Sequence, residues 1–491
     1  MKQSLFKKTA VLFGAASIAV AGLLVPAAAQ ANTGNIDATK NGKATLTIHK
    51  FKADDANQNQ RQTNENGVKL DASTLGTPLE GVEFTLTRVA QKNSTEIDLS
   101  TPAGWNLIKD LKGKSAAEQV AAVKGPEYIL GDKVTNLTAA NGEAVYSNQQ
   151  FGLYLVEETK PGNNNVTAPA EPFLVTLPLA NGSGWNYDVH VYPKNTVGED
   201  ISKTVTATNE EAVWTVNSPV PALATGQTGY TRAVVSDDLD SRLTYKQGTA
   251  TVGFIRAGES NVTAFDPADF NAAFTGQKLT VTLTDSGLRK LAAGTLQVKF
   301  TTTVTDGGSI QNTIVSNIND STFDVKPGTP KTPEVYYGYL KLNKQTAAAP
   351  KLPLQNAEFG IYASEDEARA GNNPVARIKT GADGSATQQL LLGNKDAVKT
   401  VGGTSKVFYV KELVAPAGYV LDETVRQVTV TTAHTKAAPS VLTVDNEKAL
   451  VPGLPLTGGQ GATLLAVAGG ALVIAGIAVA VVRRRKQAAA H

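Results

Sequence analysis

From Thr45 onward the chain alternates apolar and polar residues in short runs rich in Val and Thr, and Gly, Asn, Asp and Pro break those runs. Period-two alternation puts successive side chains on opposite faces of a strand, so each run can bury only one face. Many short runs of this kind, separated by turn residues, predict stacked β-sandwich domains. The helical signal is thin, and Ser115 to Val123 is its best short stretch. None of the 491 residues is cysteine. A secreted sandwich commonly gains rigidity from disulfides; this one has to find another source, and it cannot form a thioester.

The two ends place the chain outside a cell. Lys2, Lys7 and Lys8 form a charged start, Ala10 to Val25 is apolar, and Ala29-Gln30-Ala31 reads as a signal-peptide cleavage site. The mature chain is expected to begin near Asn32. At the other end, Gly461 to Val482 carries no charge. A helix of that length reaches roughly 33 Å, enough to cross a bilayer. Arg483-Arg484-Arg485-Lys486 follows it and keeps the C-terminus cytoplasmic. Just outside the expected membrane lies Leu454-Pro455-Leu456-Thr457-Gly458. This order of pentapeptide, apolar helix and basic tail resembles a sortase cell-wall sorting signal, and the pentapeptide argues against an ordinary membrane anchor. The resemblance implies cleavage between Thr457 and Gly458. It also implies an acyl-enzyme at the Thr457 carbonyl, which an amine resolves.

An internal repeat suggests the domain edges. Leu46-Thr47-Ile48-His49-Lys50 precedes Pro78-Leu79-Glu80-Gly81-Val82-Glu83-Phe84, and Leu340-Lys341-Leu342-Asn343-Lys344 precedes Pro353-Leu354-Gln355-Asn356-Ala357-Glu358-Phe359. The first copy carries an insertion near residues 53–76. Both copies continue to an aromatic-x-Val-x-Glu strand, Tyr154 to Glu158 and Phe408 to Glu412. The expected plan is a signal peptide (1–31), three tandem all-β, Ig-like sandwich domains (32–195, 196–334 and 335–450) and a sorting signal (451–491) with its membrane segment at 461–482. Three prolines stiffen the segment from Lys326 to Pro333, which is expected to link the last two domains.

Several apolar stripes end in a polar residue of the same parity. Leu340 and Leu342 lead to Lys344, Phe408 and Val410 to Glu412, and Leu442 and Val444 to Asn446. Taken singly, each polar group reads as a strand-end residue reaching for water. Together they put a lysine, a carboxyl and an amide on inward faces, where each is costly unless paired. Burial disfavours both charged forms, so it lowers a lysine pKa and raises a carboxyl pKa. A neutral amine is a nucleophile. A protonated carboxyl could bond the amide oxygen, polarise the carbonyl and shuttle protons. The product would be a Lys–Asn isopeptide bond with loss of ammonia, formed once per domain rather than in turnover.

These residues resemble collagen-adhesin B-type domains, and Glu412-Leu413-Val414-Ala415-Pro416-Ala417-Gly418-Tyr419 matches that family's E-box. The resemblance implies a Lys344–Asn446 bond with Glu412 as the acid. Asp445 is the rival acceptor, disfavoured by parity. In the middle domain Lys203, Asp237 and Asn312 lie on the stripes Ile201 to Val205, Val235 to Leu239 and Ile310 to Ile314. Asp237-Asp238-Leu239 resembles the related A-type domain, which implies a Lys203–Asn312 bond promoted by Asp237, with Asn317 as the alternative acceptor. In the first domain Lys50, Glu158 and Asn195 occupy corresponding places. The E-box is degraded there, since Thr159-Lys160-Pro161-Gly162 lacks the Ala before Pro and the Tyr after Gly; a Lys50–Asn195 bond is the least supported of the three.

Trp185-Asn186-Tyr187-Asp188-Val189-His190-Val191-Tyr192-Pro193-Lys194-Asn195 matches the pilin motif of sortase-assembled Gram-positive pili. The chain as a whole resembles a major pilin, the shaft subunit of a fimbria. Parity turns Val189, Val191 and Asn195 inward and Lys194 outward, where its amine can resolve the Thr457 acyl-enzyme of another subunit. The implied partners are further copies of the chain, pilus-specific and housekeeping sortases, peptidoglycan, tip and base pilins, and a host or bacterial surface receptor. A monomeric wall-anchored adhesin is the alternative, and it has no use for Lys194. An extracellular enzyme is not expected: the four histidines have no metal-ligand spacing, and neither a G-x-S-x-G elbow nor a P-loop occurs. No cofactor or metal is implied, and the net charge of +2 gives no sign of a nucleic-acid partner.

Overall fold

The computed structural model describes residues 36–53, 66–71, 75–181, 184–329, 331–396 and 399–450. The signal peptide, Leu454 to Gly458 and the 461–482 segment lie outside these residues. Among the described residues no helix is long and apolar enough to cross a membrane.

The chain is all-β, built of sheets packed as sandwiches. Near the N-terminus, strand Ala44–His49 pairs in parallel with Asp188–Val191 and antiparallel with Glu143–Gln149. The facing sheet centres on Glu83–Lys92, flanked by Tyr128–Leu137 and Gly152–Lys160, with Phe173–Leu177 beyond. Leu46, Ile48, Val189 and Val191 from one sheet and Phe84, Leu86, Leu153 and Leu155 from the other fill the core between them. Helix Ala116–Val123 forms where the sequence suggested it. Ser115 caps it, bonding the Glu118 amide while the Glu118 carboxylate bonds back to Ser115.

In the middle region, strands Ser202–Ala207, Glu211–Val220, Gly294–Val304 and Thr251–Arg256 lie in that order in one sheet. Ala233–Asp238 pairs with Lys278–Leu283 and Ile314–Ile318 in the other. Their shared core includes Trp214, Val216, Val235, Phe300, Ile310 and Ile314, and it continues through Val335 and Tyr337. Within the expected linker, the Thr332 hydroxyl donates to the Lys326 carbonyl and accepts from the Thr329 amide.

The chain divides into two compact units. The first takes residues up to 340 together with 387–407 and 429–440. The second takes 341–386, 408–428 and 441 onward. In the second unit, strand Glu358–Tyr362 pairs with Ala376–Lys379 on one edge and with residues 409–414 on the other. Lys344, Glu412 and Asn446 all belong to it.

Candidate functional site

Each site begins with strand parity. Leu340, Leu342 and Lys344 are all buried, as are Phe408, Val410 and Glu412, and Val444 and Asn446. Three stripes from three strands meet, and their polar ends close on one another. The Lys344 ammonium donates to the Asn446 amide oxygen. The Asn446 amide nitrogen donates to both Glu412 oxygens at 3.1 Å, and Glu412 Oε1 lies 3.4 Å from Lys344 Nζ. The backbone N–H of Asp422 also donates to Glu412 Oε2 at 2.8 Å. Burial pulls the Lys344 pKa down against the opposing pull of Glu412. The rival Asp445 is exposed and bonds Lys351 and Gln345.

The first domain repeats this arrangement despite its altered turn. Lys50 and Asn195 are fully buried and Glu158 is 3% exposed. The Lys50 ammonium donates to Asn195 Oδ1 and lies 2.8 Å from Glu158 Oε2. Asn195 Nδ2 donates to Glu158 Oε1 at 2.7 Å. The Ala170 amide adds a bond of 2.7 Å to Asn195 Oδ1. Burial again lowers the lysine pKa, with Glu158 opposing it.

The middle domain differs. The Lys203 ammonium donates to Asp237 Oδ2 and to the Thr313 carbonyl at 2.8 Å. The Trp214 and Phe300 rings lie 5.0 and 5.4 Å from it. Burial lowers the Lys203 pKa to about 8 and raises that of Asp237, with Lys203 opposing the rise. Asn312 is also buried and lies near enough to Asp237 to moderate its pKa, yet neither amide atom makes a hydrogen bond of normal geometry. Asn317 is half-buried and accepts from the Thr322 hydroxyl. It reaches neither Lys203 nor Asp237.

The amide orientation departs from the sequence expectation. The acid was expected at the amide oxygen. In the first and third sites it faces the amide nitrogen, and the oxygen faces the lysine. A protonated lysine can only donate, so it takes the oxygen and leaves the N–H groups to the carboxyl. The carboxyl thus sits beside the nitrogen that would leave as ammonia. The aromatic rings around Lys203 were not singled out from the sequence, although Trp214 shares its inward parity with Ala212 and Val216.

Lys194 opens strand Lys194–Val197, which pairs in parallel with Phe51–Lys52 and antiparallel with Val166–Ala168. It is half-buried while its neighbour Asn195 is fully buried. Among the described residues the Lys194 ammonium has no hydrogen bond or ion pair. Tyr192, two residues before, stacks on His49 with ring centroids 4.5 Å apart. The ring nitrogens of His49 and His190 approach to 2.8 Å. Burial, and then the neighbouring His190, hold the His49 pKa down at about 4. No group of three or more His, Asp or Glu among the described residues is placed to hold a metal.

Three family models match separate parts of the chain. A Gram-positive pilin subunit N-terminal domain matches residues 41–196, a prealbumin-like fold domain residues 338–447, and an LPXTG cell wall anchor motif residues 451–488. The chain is 30% identical to the fimbrial subunit type 2 of Actinomyces naeslundii, over 99% of its own length and 97% of the relative's. It is also 30% identical to the fimbrial subunit type 1 of Actinomyces viscosus, over 98% of both chains. Among solved structures, the full-length major pilin SpaD from Corynebacterium diphtheriae aligns at a TM-score of 0.52 and 26% identity, covering 85% of this chain and 99% of that one. The chain belongs to the Gram-positive fimbrial subunits: it is a sortase-assembled major pilin, held outside the cell in a wall-anchored pilus.

Proposed function

We propose that this pilin closes three internal Lys–Asn bonds as it folds and is then polymerised through Lys194 and Thr457. The carrying observation is the closure of Lys344, Asn446 and Glu412 inside one unit with all three side chains buried. In a neutral lysine the Nζ lone pair attacks Asn446 Cγ. A tetrahedral centre forms, the C–Nδ2 bond breaks, and ammonia leaves with a proton relayed by Glu412. The lysine nitrogen keeps one proton and becomes an amide. Burial favours the neutral amine, and the short approach supplies proximity. The product removes a buried charge that would otherwise need its partner permanently. Lys50, Asn195 and Glu158 support the same reaction in the first domain. Lys203, Asp237 and Asn312 support it in the middle domain once the free Asn312 amide turns onto the lysine. Each reaction occurs once, so the chain is a self-processing structural protein and not an enzyme in turnover.

The half-buried Lys194 supports the second step. A pilus-specific sortase presents the Thr457 acyl-enzyme of one subunit, and the Lys194 amine of another resolves it as an isopeptide. Repetition makes the shaft. A housekeeping sortase joins the basal Thr457 to peptidoglycan, directly or through a base pilin, and a tip pilin and a surface receptor complete the adhesive fibre. Lys194→Ala tests this: the ladder of high-mass, detergent-resistant species should vanish while secretion persists. An unchanged ladder would place the linkage on another lysine.

A further inference from the structure

The repeat holds a device that the bond-forming triads do not explain. Lys50 falls just after strand Ala44–His49 and Lys344 lies near the end of strand Glu334–Thr346, and the same two loops grip each backbone. The Lys50 N–H donates to the Gly142 carbonyl at 2.8 Å, and the Lys50 carbonyl accepts from the Leu79 N–H at 3.0 Å. The Lys344 N–H donates to the Gly384 carbonyl at 2.7 Å, and its carbonyl accepts from the Leu354 N–H at 2.9 Å.

A threonine ties the second loop to the first in each copy. Thr138 Oγ1 donates to the Leu79 carbonyl at 2.7 Å and accepts from the Val82 N–H at 3.0 Å. Thr380 Oγ1 donates to the Leu354 carbonyl at 2.9 Å and accepts from the Ala357 N–H at 3.0 Å. Both threonines are buried, and each hydroxyl donates once and accepts once. The linking turns are Thr138-Ala139-Ala140-Asn141-Gly142 and Thr380-Gly381-Ala382-Asp383-Gly384. Asn141 and Asp383 each accept from the backbone N–H two residues on, a local bond that sets the turn.

The glycine is required twice over. Gly142 has φ +80° and Gly384 φ +73°, the left-handed region that L side chains resist. A Cβ on Gly142 would lie 2.5 Å from the Lys50 carbonyl oxygen, and one on Gly384 would lie 2.6 Å from that of Lys344. A side chain at either glycine therefore pushes on the backbone of the lysine itself. The middle domain is an internal comparison: Lys203 sits within a regular ladder opposite Val216 and has no such clip.

We infer that Thr138 with Gly142, and Thr380 with Gly384, are positioning residues for isopeptide formation, each pair fixing the lysine backbone so that Nζ meets the amide. This rests on the reading that Lys50 and Lys344 form such bonds. A lysine has four side-chain torsions, and fixing the backbone in register removes much of the remaining search. Displacement of a reacting atom by about 1 Å can cost on the order of 100-fold in rate.

The test uses the full ectodomain with Gly384→Ala, Thr380→Val and Thr380→Ser, followed by peptide mapping of each cross-link over time after synthesis. In wild type the Lys344–Asn446 cross-link should be complete. Gly384→Ala and Thr380→Val should leave it at least about tenfold slower, while the Lys50 and Lys203 cross-links in the same molecules finish normally. Thr380→Ser keeps the hydroxyl and should restore the wild-type rate. A merely structural threonine would not separate Ser from Val in cross-link rate at one site alone. Wild-type rates in both Gly384→Ala and Thr380→Val would overturn the positioning role and leave the bond reading intact. Absence of the Lys344 cross-link from wild type would overturn both.

Discussion

Replacing Glu412 with Gln should turn a nearly inextensible shaft segment into an extensible one. With the proposed linkage, tension in the polymer would enter at Lys194 and leave at Thr457, so the covalent path would run through residues 194–457. A Lys203–Asn312 bond and a Lys344–Asn446 bond bypass most of it. By residue number only 9, 32 and 11 steps stay in the path: 194–203, 312–344 and 446–457. Glu412→Gln preserves shape but cannot relay protons, so the proposed Lys344 bond should not form. The 102 residue steps between Lys344 and Asn446 then return to the path. At about 3.5 Å per step they add up to roughly 360 Å of contour. Single-molecule pulling between Lys194 and Thr457 should show that release in the variant and nothing of that size in wild type. Glu158→Gln should leave the trace unchanged, because Lys50 and Glu158 lie outside the path. A release of roughly 360 Å from wild type, or none from Glu412→Gln, would refute the reasoning.

Two pH effects follow from the buried groups. In Asn312→Ala, Lys203 stays an amine with a folded pKa of about 8 against an unfolded value of 10.5. Between those values the unfolded chain holds a proton that the folded one has released, so the variant should gain up to about 3 kcal/mol as pH rises through that window. Urea unfolding at the two ends of the window measures this, and equal stabilities would contradict it. His49 has its folded pKa depressed to about 4 from 6.5, so its contribution is intact above 6.5 and lost as pH falls toward 4. His190 and Lys69 also push the His49 pKa down, and Glu143 pushes it up; Asp188 lies 3.4 Å from His190 on the far side. Thermal melts of the ectodomain should show an acid loss across this window that His49→Gln weakens; identical profiles would contradict the assignment.

Strand parity was the part of the site most legible in the sequence. It turned Lys344, Glu412 and Asn446 inward and Asp445 outward because side chains alternate whatever the sheet packs against. The E-box was a poorer guide in the first domain. It describes the turn after the acid, whereas the triad depends on which strands face each other, and Glu158 meets Asn195 without it. That turn has a different task here: the Gly162 carbonyl accepts from Ser321 and the Asn163 side chain accepts from Thr322. Amide orientation was not legible, since it follows from which partner can only donate. The free Asn312 amide was hidden for a related reason. It lies in the gap between strands Gly308–Gln311 and Ile314–Ile318, where no ladder dictates its direction. The continuation of the middle core through Val335 and Tyr337 was equally hidden, because periodicity marks an inward face without saying which core it joins.

Intact mass of the recombinant ectodomain, with each cross-link mapped on peptides, tests the central claim most directly. Three closed bonds predict a mass lower than the sequence by three molecules of ammonia, with Lys50 joined to Asn195, Lys203 to Asn312 and Lys344 to Asn446. A mass equal to that of the sequence, with all three lysines free, would contradict it.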